Sequence, residues 1–173
     1  IGAKMRVLHT ADWHLGKTLR GVSLHEDHAY VLNQIFETVV AEQVDVLIVA
    51  GDVYDKASPS EAAIKLYSDF LERVHIETES AIVVIAGNHD SGQRLGTASK
   101  LFDRNRILVR GPVSNDELPL VLEDGAGPVA ISALPYAEIY AARRAFGDES
   151  IRSPEDVLRA QIAAAKAHVP ETA

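Results

Sequence analysis

Three short polar turns, each entered from an apolar run of strand length, constrain this chain more than any other feature. Asp12-Trp13-His14 follows Met5 to Thr10, Gly51-Asp52-Val53-Tyr54-Asp55 follows Val44 to Ala50, and Gly87-Asn88-His89-Asp90 follows Ala81 to Ala86. The runs are rich in β-branched residues and nearly continuous rather than alternating, as in parallel strands covered on both faces, which places them mid-sheet. Over Leu24 to Gln43, apolar residues such as Val31, Leu32, Ile35 and Val39 recur at helical spacing. Ser60 then caps a second helix whose Ala63, Tyr67, Phe70, Leu71 and Val74 form the inward stripe. Strand, helix, strand, helix, strand implies right-handed crossovers and a parallel sheet, an α/β fold. Ligands of such sheets bind at the carboxyl ends of the strands, so three turns far apart in sequence converge on one edge.

Asp12 and His14 stand two apart, so on an extended turn their side chains can point the same way and chelate one ion. Carboxylate and amide oxygens beside imidazoles suit manganese, iron or zinc, and a pair of such ions can clamp the attacking and leaving oxygens of a phosphoryl transfer. Gly51 and Gly87 directly precede candidate ligands and Gly16 follows His14, permitting tight turns and close backbone approach. Each piece alone has a plainer reading, as a helix cap, a turn former or a loop. Three such turns in order, each glycine-flanked and each after a strand, outweigh it.

The remaining sequence sets bounds. At 173 residues and 47% hydrophobic, the chain can build one sizeable core, and one domain or most of one is expected. It has no cysteine, which excludes disulfides and thiolate zinc sites, and a cytoplasmic location fits that best. Its longest purely apolar stretch, Ala81 to Ala86, is far below the roughly 20 residues of a membrane helix, so no membrane association is expected. A net charge of -8 argues against a protein that coats nucleic acid, but not against a nuclease whose cleft is neutralised by metal. Residues 1–4 read as a cloning remnant outside the fold, which then spans 5–173. A helix is expected over Leu95 to Phe102, strands at Ile107 to Arg110, Leu120 to Leu122 and Val129 to Leu134, and a last helix from Ser153 and Pro154 to about Val169.

The motifs Asp-x-His, Gly-Asp-x-x-Asp and Gly-Asn-His-Asp resemble the first three of the calcineurin-like metallophosphoesterase superfamily. The segments Leu8 to Lys17, Val49 to Asp55, Ala86 to Ser91 and Ile131 to Tyr136 resemble, within it, the nuclease subunits of bacterial DNA-repair complexes. The resemblance implies the first half of a metallophosphoesterase sandwich. It implies that Asp12 and His14 hold a first metal, that Asp52 bridges to a second held by Asn88, and that the ions are usually manganese, with magnesium, iron or zinc as alternatives. His89 would stabilise the scissile phosphate or protonate the leaving oxygen, and Asp55 would orient His89. Further implied are exonuclease and endonuclease action on DNA, an SMC-like ATPase partner and a homodimer. The superfamily's later Gly-His and Gly-His-x-His motifs do not occur in this sequence, whose only later histidine is His168. The expectation is an N-terminal part of the domain, alone weakly active or inactive.

Other residues carry two readings. His25 and His28 stand three apart on a helix, where they chelate or are merely solvated or packed. His9 reads as a satisfied core histidine, and His75 as a helix-end cation. Trp13 stacks on a base or buttresses its loop. Lys17, Arg20, Arg94, Lys100, Arg104, Arg106 and Arg110 face DNA or only solvent. Tyr67, Phe70, Leu71, Leu95, Leu101 and Phe102 pack the core or leave a subset for a dimer. Two rival functions remain open: another metallophosphoesterase, such as a small-molecule phosphodiesterase or a phosphoprotein phosphatase, with Lys56 after Asp55 speaking mildly against the phosphatase, and a dimerisation module without catalysis.

Overall fold

The computed structural model describes residues 4–97 and 106–170. The apolar runs become β1 (Val7–Thr10), β4 (Val46–Ala50), β5 (Ala81–Ile85) and β6 (Ile107–Arg110), a parallel sheet in the order β1-β4-β5-β6. Val7 pairs with Val46, Val46 with Ala81, and Ile82 with Ile107. Helices α1 (His25–Ala41) and α2 (Glu61–Glu77) make the crossovers, and Ser60 Oγ accepts the Ala63 amide as the α2 cap.

Alternate residues of the strands face two separate cores. Leu47, Val49, Ile82, Val84, Ile107 and Val109 meet Leu32, Phe36 and Val39 of α1 and Ala63, Tyr67, Phe70 and Val74 of α2. Val46, Ala81, Val83 and Leu108 face the other way, against Leu120, Leu122 and Ile131. Those three lie on an antiparallel hairpin of β7 (Leu120–Asp124) and β8 (Gly127–Ile131), so the sheet is sandwiched between helices and hairpin, as its continuous hydrophobicity requires. Short β2 (Thr18–Leu19) and β3 (Val22–Ser23) form a small surface hairpin. Beyond β8, α4 (Ile139–Phe146) and α5 (Pro154–His168) pack through Ala142, Ile151 and Val157. At the start of α5, Ser153 and Asp156 form a reciprocal capping box with Pro154 in the first turn.

Several expectations change. Among the described residues β1 is an edge strand, so His9 is exposed and is not a core histidine. Of the helix expected over Leu95 to Phe102, Leu95 is the last residue of a short α3 (Gly92–Leu95) that ends at Gly96, and residues 98–102, with Lys100, Leu101 and Phe102, lie outside the described residues, as do Arg104 and residues 1–3. Tyr67, Phe70, Leu71 and Leu95 are all buried in the helix-side core. Arg110 faces neither solvent nor ligand: it is 4% exposed, its Nε lies 2.5 Å from Glu117, and it donates to the Leu118 carbonyl. Arg20, Arg94 and Arg106 are exposed. No helix among the described residues is long and apolar enough to cross a membrane.

Candidate metal centre

The first two turns continue the pairing of β1 with β4 beyond the strands themselves. The Asp12 amide donates to Gly51 O at 3.1 Å, His14 to Asp52 O at 2.9 Å, and Leu15 to Val53 O at 2.9 Å. Leu15, 1% exposed, anchors the first turn in the core, and the Asp55 amide returns a bond to its carbonyl at 3.1 Å. Trp13 buttresses this turn. It is buried, edge-on to Phe70 at 5.2 Å between centroids, with its indole N–H donating to Thr10 Oγ1.

This path forces Asp12 (φ 56°), His14 (φ 48°) and Asp52 (φ 49°) into the left-handed region. Each such conformation costs a non-glycine residue about 1–2 kcal/mol. Strain at three residues whose side chains converge is the signature of a functional constraint. His14 Nε2 lies 3.9 Å from Asp12 Oδ1 and 3.9 Å from Asp52 Oδ2, and one donor atom from each of the three falls within 4.8 Å of the others. The Asp52 side chain is 11% exposed and that of Asp12 71%, so the cluster runs from the protein interior to solvent.

The third turn joins through Asp52, whose Oδ1 accepts the His89 amide at 2.9 Å while Oδ2 faces His14. One carboxylate therefore addresses both neighbouring turns. Gly87 makes the approach possible: a Cβ there would collide with Asp52 Oδ1 and with the Asp52 amide nitrogen. Asn88 is exposed and lines one cleft together with Asp12 and Asp52. His89 is exposed, and its ring stands edge-on to that of His14 at 4.8 Å.

Asp55 meets His89 differently from the expected carboxylate contact. The main-chain oxygen of Asp55 lies 3.0 Å from His89 Nδ1, whereas its carboxylate stands 3.5 Å from His14 Nδ1 and 3.5 Å from Lys17 Nζ. A carbonyl only accepts, so Nδ1 of His89 carries the proton in this contact. His28 is partly buried near the cluster, its pKa lowered chiefly by desolvation, with Asp27, His25, Asp55 and His14 within electrostatic range.

A residue that sequence reasoning left without a role organises the centre. Asp90 Oδ2 accepts the amides of Gly87 at 2.8 Å and Val53 at 3.1 Å, and Oδ1 accepts that of Tyr54 at 2.9 Å. It thereby staples the second turn to the third. The signal was an aspartate three residues after Gly87, from where a short carboxylate can reach back to an earlier backbone group. Burial, with Asp90 as a lesser cause, pushes the Tyr54 phenol up to about 12, so Tyr54 remains a neutral wall.

The donor chemistry fits divalent ions: carboxylate and imidazole atoms of Asp12, His14 and Asp52 converge and are held by backbone in the left-handed region. Comparison with known proteins agrees. The family model for calcineurin-like phosphoesterase matches residues 5–158. The chain is 38% identical over 154 residues to the SbcD subunit of the nuclease SbcCD from Staphylococcus epidermidis, covering 89% of this chain and 40% of that protein. To the protein of the same name from Staphylococcus saprophyticus it is 35% identical over 159 residues, covering 92% of this chain and 41% of the relative. The chain thus spans about two fifths of the length of these curated relatives.

Proposed function

Because this chain belongs to the calcineurin-like phosphoesterase family, we propose that it forms the first part of a metal-dependent nuclease that hydrolyses phosphodiester bonds in DNA. The observation that carries this reading is the convergence of Asp12, His14 and Asp52 within 4.8 Å, on backbone held in the left-handed region at all three. Asp12 and His14 would hold one ion, Asp52 would bridge, and Asn88 would hold a second, with manganese the favoured metal. When bound, such ions polarise a phosphodiester and supply a nucleophile from water at neutral pH.

The chain's own groups have distinct tasks. Asp52 Oδ1, fixed by the His89 amide, keeps the bridging carboxylate from rotating. His89, with Nδ1 committed to the Asp55 carbonyl, has Nε2 free to exchange a proton with the leaving oxygen. Asp55 Oδ1 faces the far side of His14, 3.5 Å from its Nδ1 and outside hydrogen-bond geometry, and is itself paired with Lys17 Nζ at 3.5 Å.

The whole protein is proposed to act in DNA repair and recombination, in the cytoplasm, as a homodimer with an SbcC-like ATPase of SMC type. The name of its relatives, which makes each of them one component of an SbcCD nuclease, supports that partnership. On the full encoded chain, manganese-dependent release of nucleotides from duplex DNA ends, abolished by Asp52→Ala, is the expected result. Hydrolysis of cyclic nucleotides with no action on DNA would overturn the substrate assignment.

A further inference from the structure

Beside the metal-ligand cleft lies a larger groove of about 600 Å³, and Tyr136 and Asn88 line both. Its size falls in the range of about 300–1,000 Å³ typical of ligand pockets. The Tyr136 amide donates to Ala86 O at 2.9 Å, which pins this residue to the strand end that delivers Gly87 and Asn88. On α4, Tyr140 and Arg144 stand one turn apart on the groove side. The opposite side of α4 supplies Ile139, Ala142 and Phe146 to the contact with α5, so Tyr140 is not needed for packing. Tyr140 is 71% exposed and Tyr136 50%.

Among the described residues, the carboxylates that line the groove are already hydrogen-bonded, and the lining cation is the charge that suits a nucleic acid. Asp90 accepts three amides, and Glu138 accepts the Tyr136 hydroxyl at 2.9 Å. Arg144 is the cation of the lining. Two exposed aromatic rings with one cation suit stacked bases rather than a run of phosphates, which would need several cations.

We propose that this groove receives the bases of one DNA strand next to the scissile phosphate, with Tyr140 and Tyr136 as stacking platforms and Arg144 at a neighbouring phosphate. The proposal rests on the phosphodiesterase reading above. Stacking on aromatic rings tolerates any base, so it gives grip on a frayed end without sequence preference.

The test uses the full encoded chain and two oligonucleotides that differ only in whether the nucleotide beside the cleaved bond bears a base or is abasic. Tyr140→Ala is expected to lower the preference in kcat/KM for the base-bearing strand about fivefold or more, and Tyr140→Phe to retain it. If the Tyr136→Ala/Tyr140→Ala double variant keeps the full preference, the proposal is wrong. A second readout does not require cleavage: a strand carrying 2-aminopurine, bound to Asp52→Ala protein, should lose fluorescence by stacking and regain it when Tyr140→Ala is added. Absence of any nuclease activity with that quenching intact would remove the catalytic reading and leave the groove. Nuclease activity with no Tyr140-dependent quenching would do the reverse.

Discussion

Replacing Asp90 by alanine tests how the second and third turns are held together. Its carboxylate accepts three amides, and two of these belong to buried residues, Val53 at 0% and Tyr54 at 6% exposure. Removing the acceptor leaves both unsatisfied, at about 1–3 kcal/mol each, so a loss of about 4 kcal/mol is expected. For a domain of this size that is a fall in Tm of about 8–16 °C, and a large share of a total stability of about 5–15 kcal/mol. Asp90→Asn keeps one oxygen and should lose about half as much. Thermal melting followed by circular dichroism gives the number, and manganese titration of the same variants gives the functional consequence: affinity about 10–100-fold weaker, because Asp52 is positioned through Val53. If Asp90→Ala melts within about 2 °C of wild type, the three bonds contribute less than about 1 kcal/mol together and the staple is not what orders the centre.

Other consequences can be checked separately. Gly87→Ala drives a Cβ against Asp52 and should cost about 1–3 kcal/mol or more of stability, together with manganese binding; a crystal structure showing Asp52 unmoved would contradict this. Because burial lowers the pKa of His28 below its ordinary 6.5, the unfolded chain binds more protons there. Stability from this group is therefore complete above about pH 6.5 and is lost as pH falls toward the lower folded value, and His28→Gln should flatten that part of a urea-midpoint profile. These 173 residues alone are expected to bind manganese weakly and cleave DNA slowly or not at all, since affinity depends on the full ligand set; calorimetry that finds two tight sites would refute it.

The parallel strands and flanking helices were legible because local pattern and tertiary role coincide: Val46 to Ala50 and Ala81 to Ile85 are apolar along their whole length and are buried on both faces. The edge position of β1 was not legible from Val7 and Leu8, which open it as apolar residues open the central strands, because a strand's neighbours come from elsewhere in the chain. Burial of Arg110 was hidden for a similar reason, as its partner Glu117 lies in an irregular segment that no periodicity predicts. At the centre, the glycine-flanked turns announced which side chains meet. They did not announce that Asp55 would reach His89 through its main chain, since a carbonyl carries no sequence signature. Asp90 was missed because an acceptor of backbone amides looks the same in sequence as any loop aspartate.

The most direct test of the central claim is an anomalous-scattering map from crystals of this chain soaked in manganese. A peak bonded jointly by Asp12, His14 and Asp52 is the predicted result. Manganese bound elsewhere on the surface, with that cluster bare at saturating metal, would contradict the account.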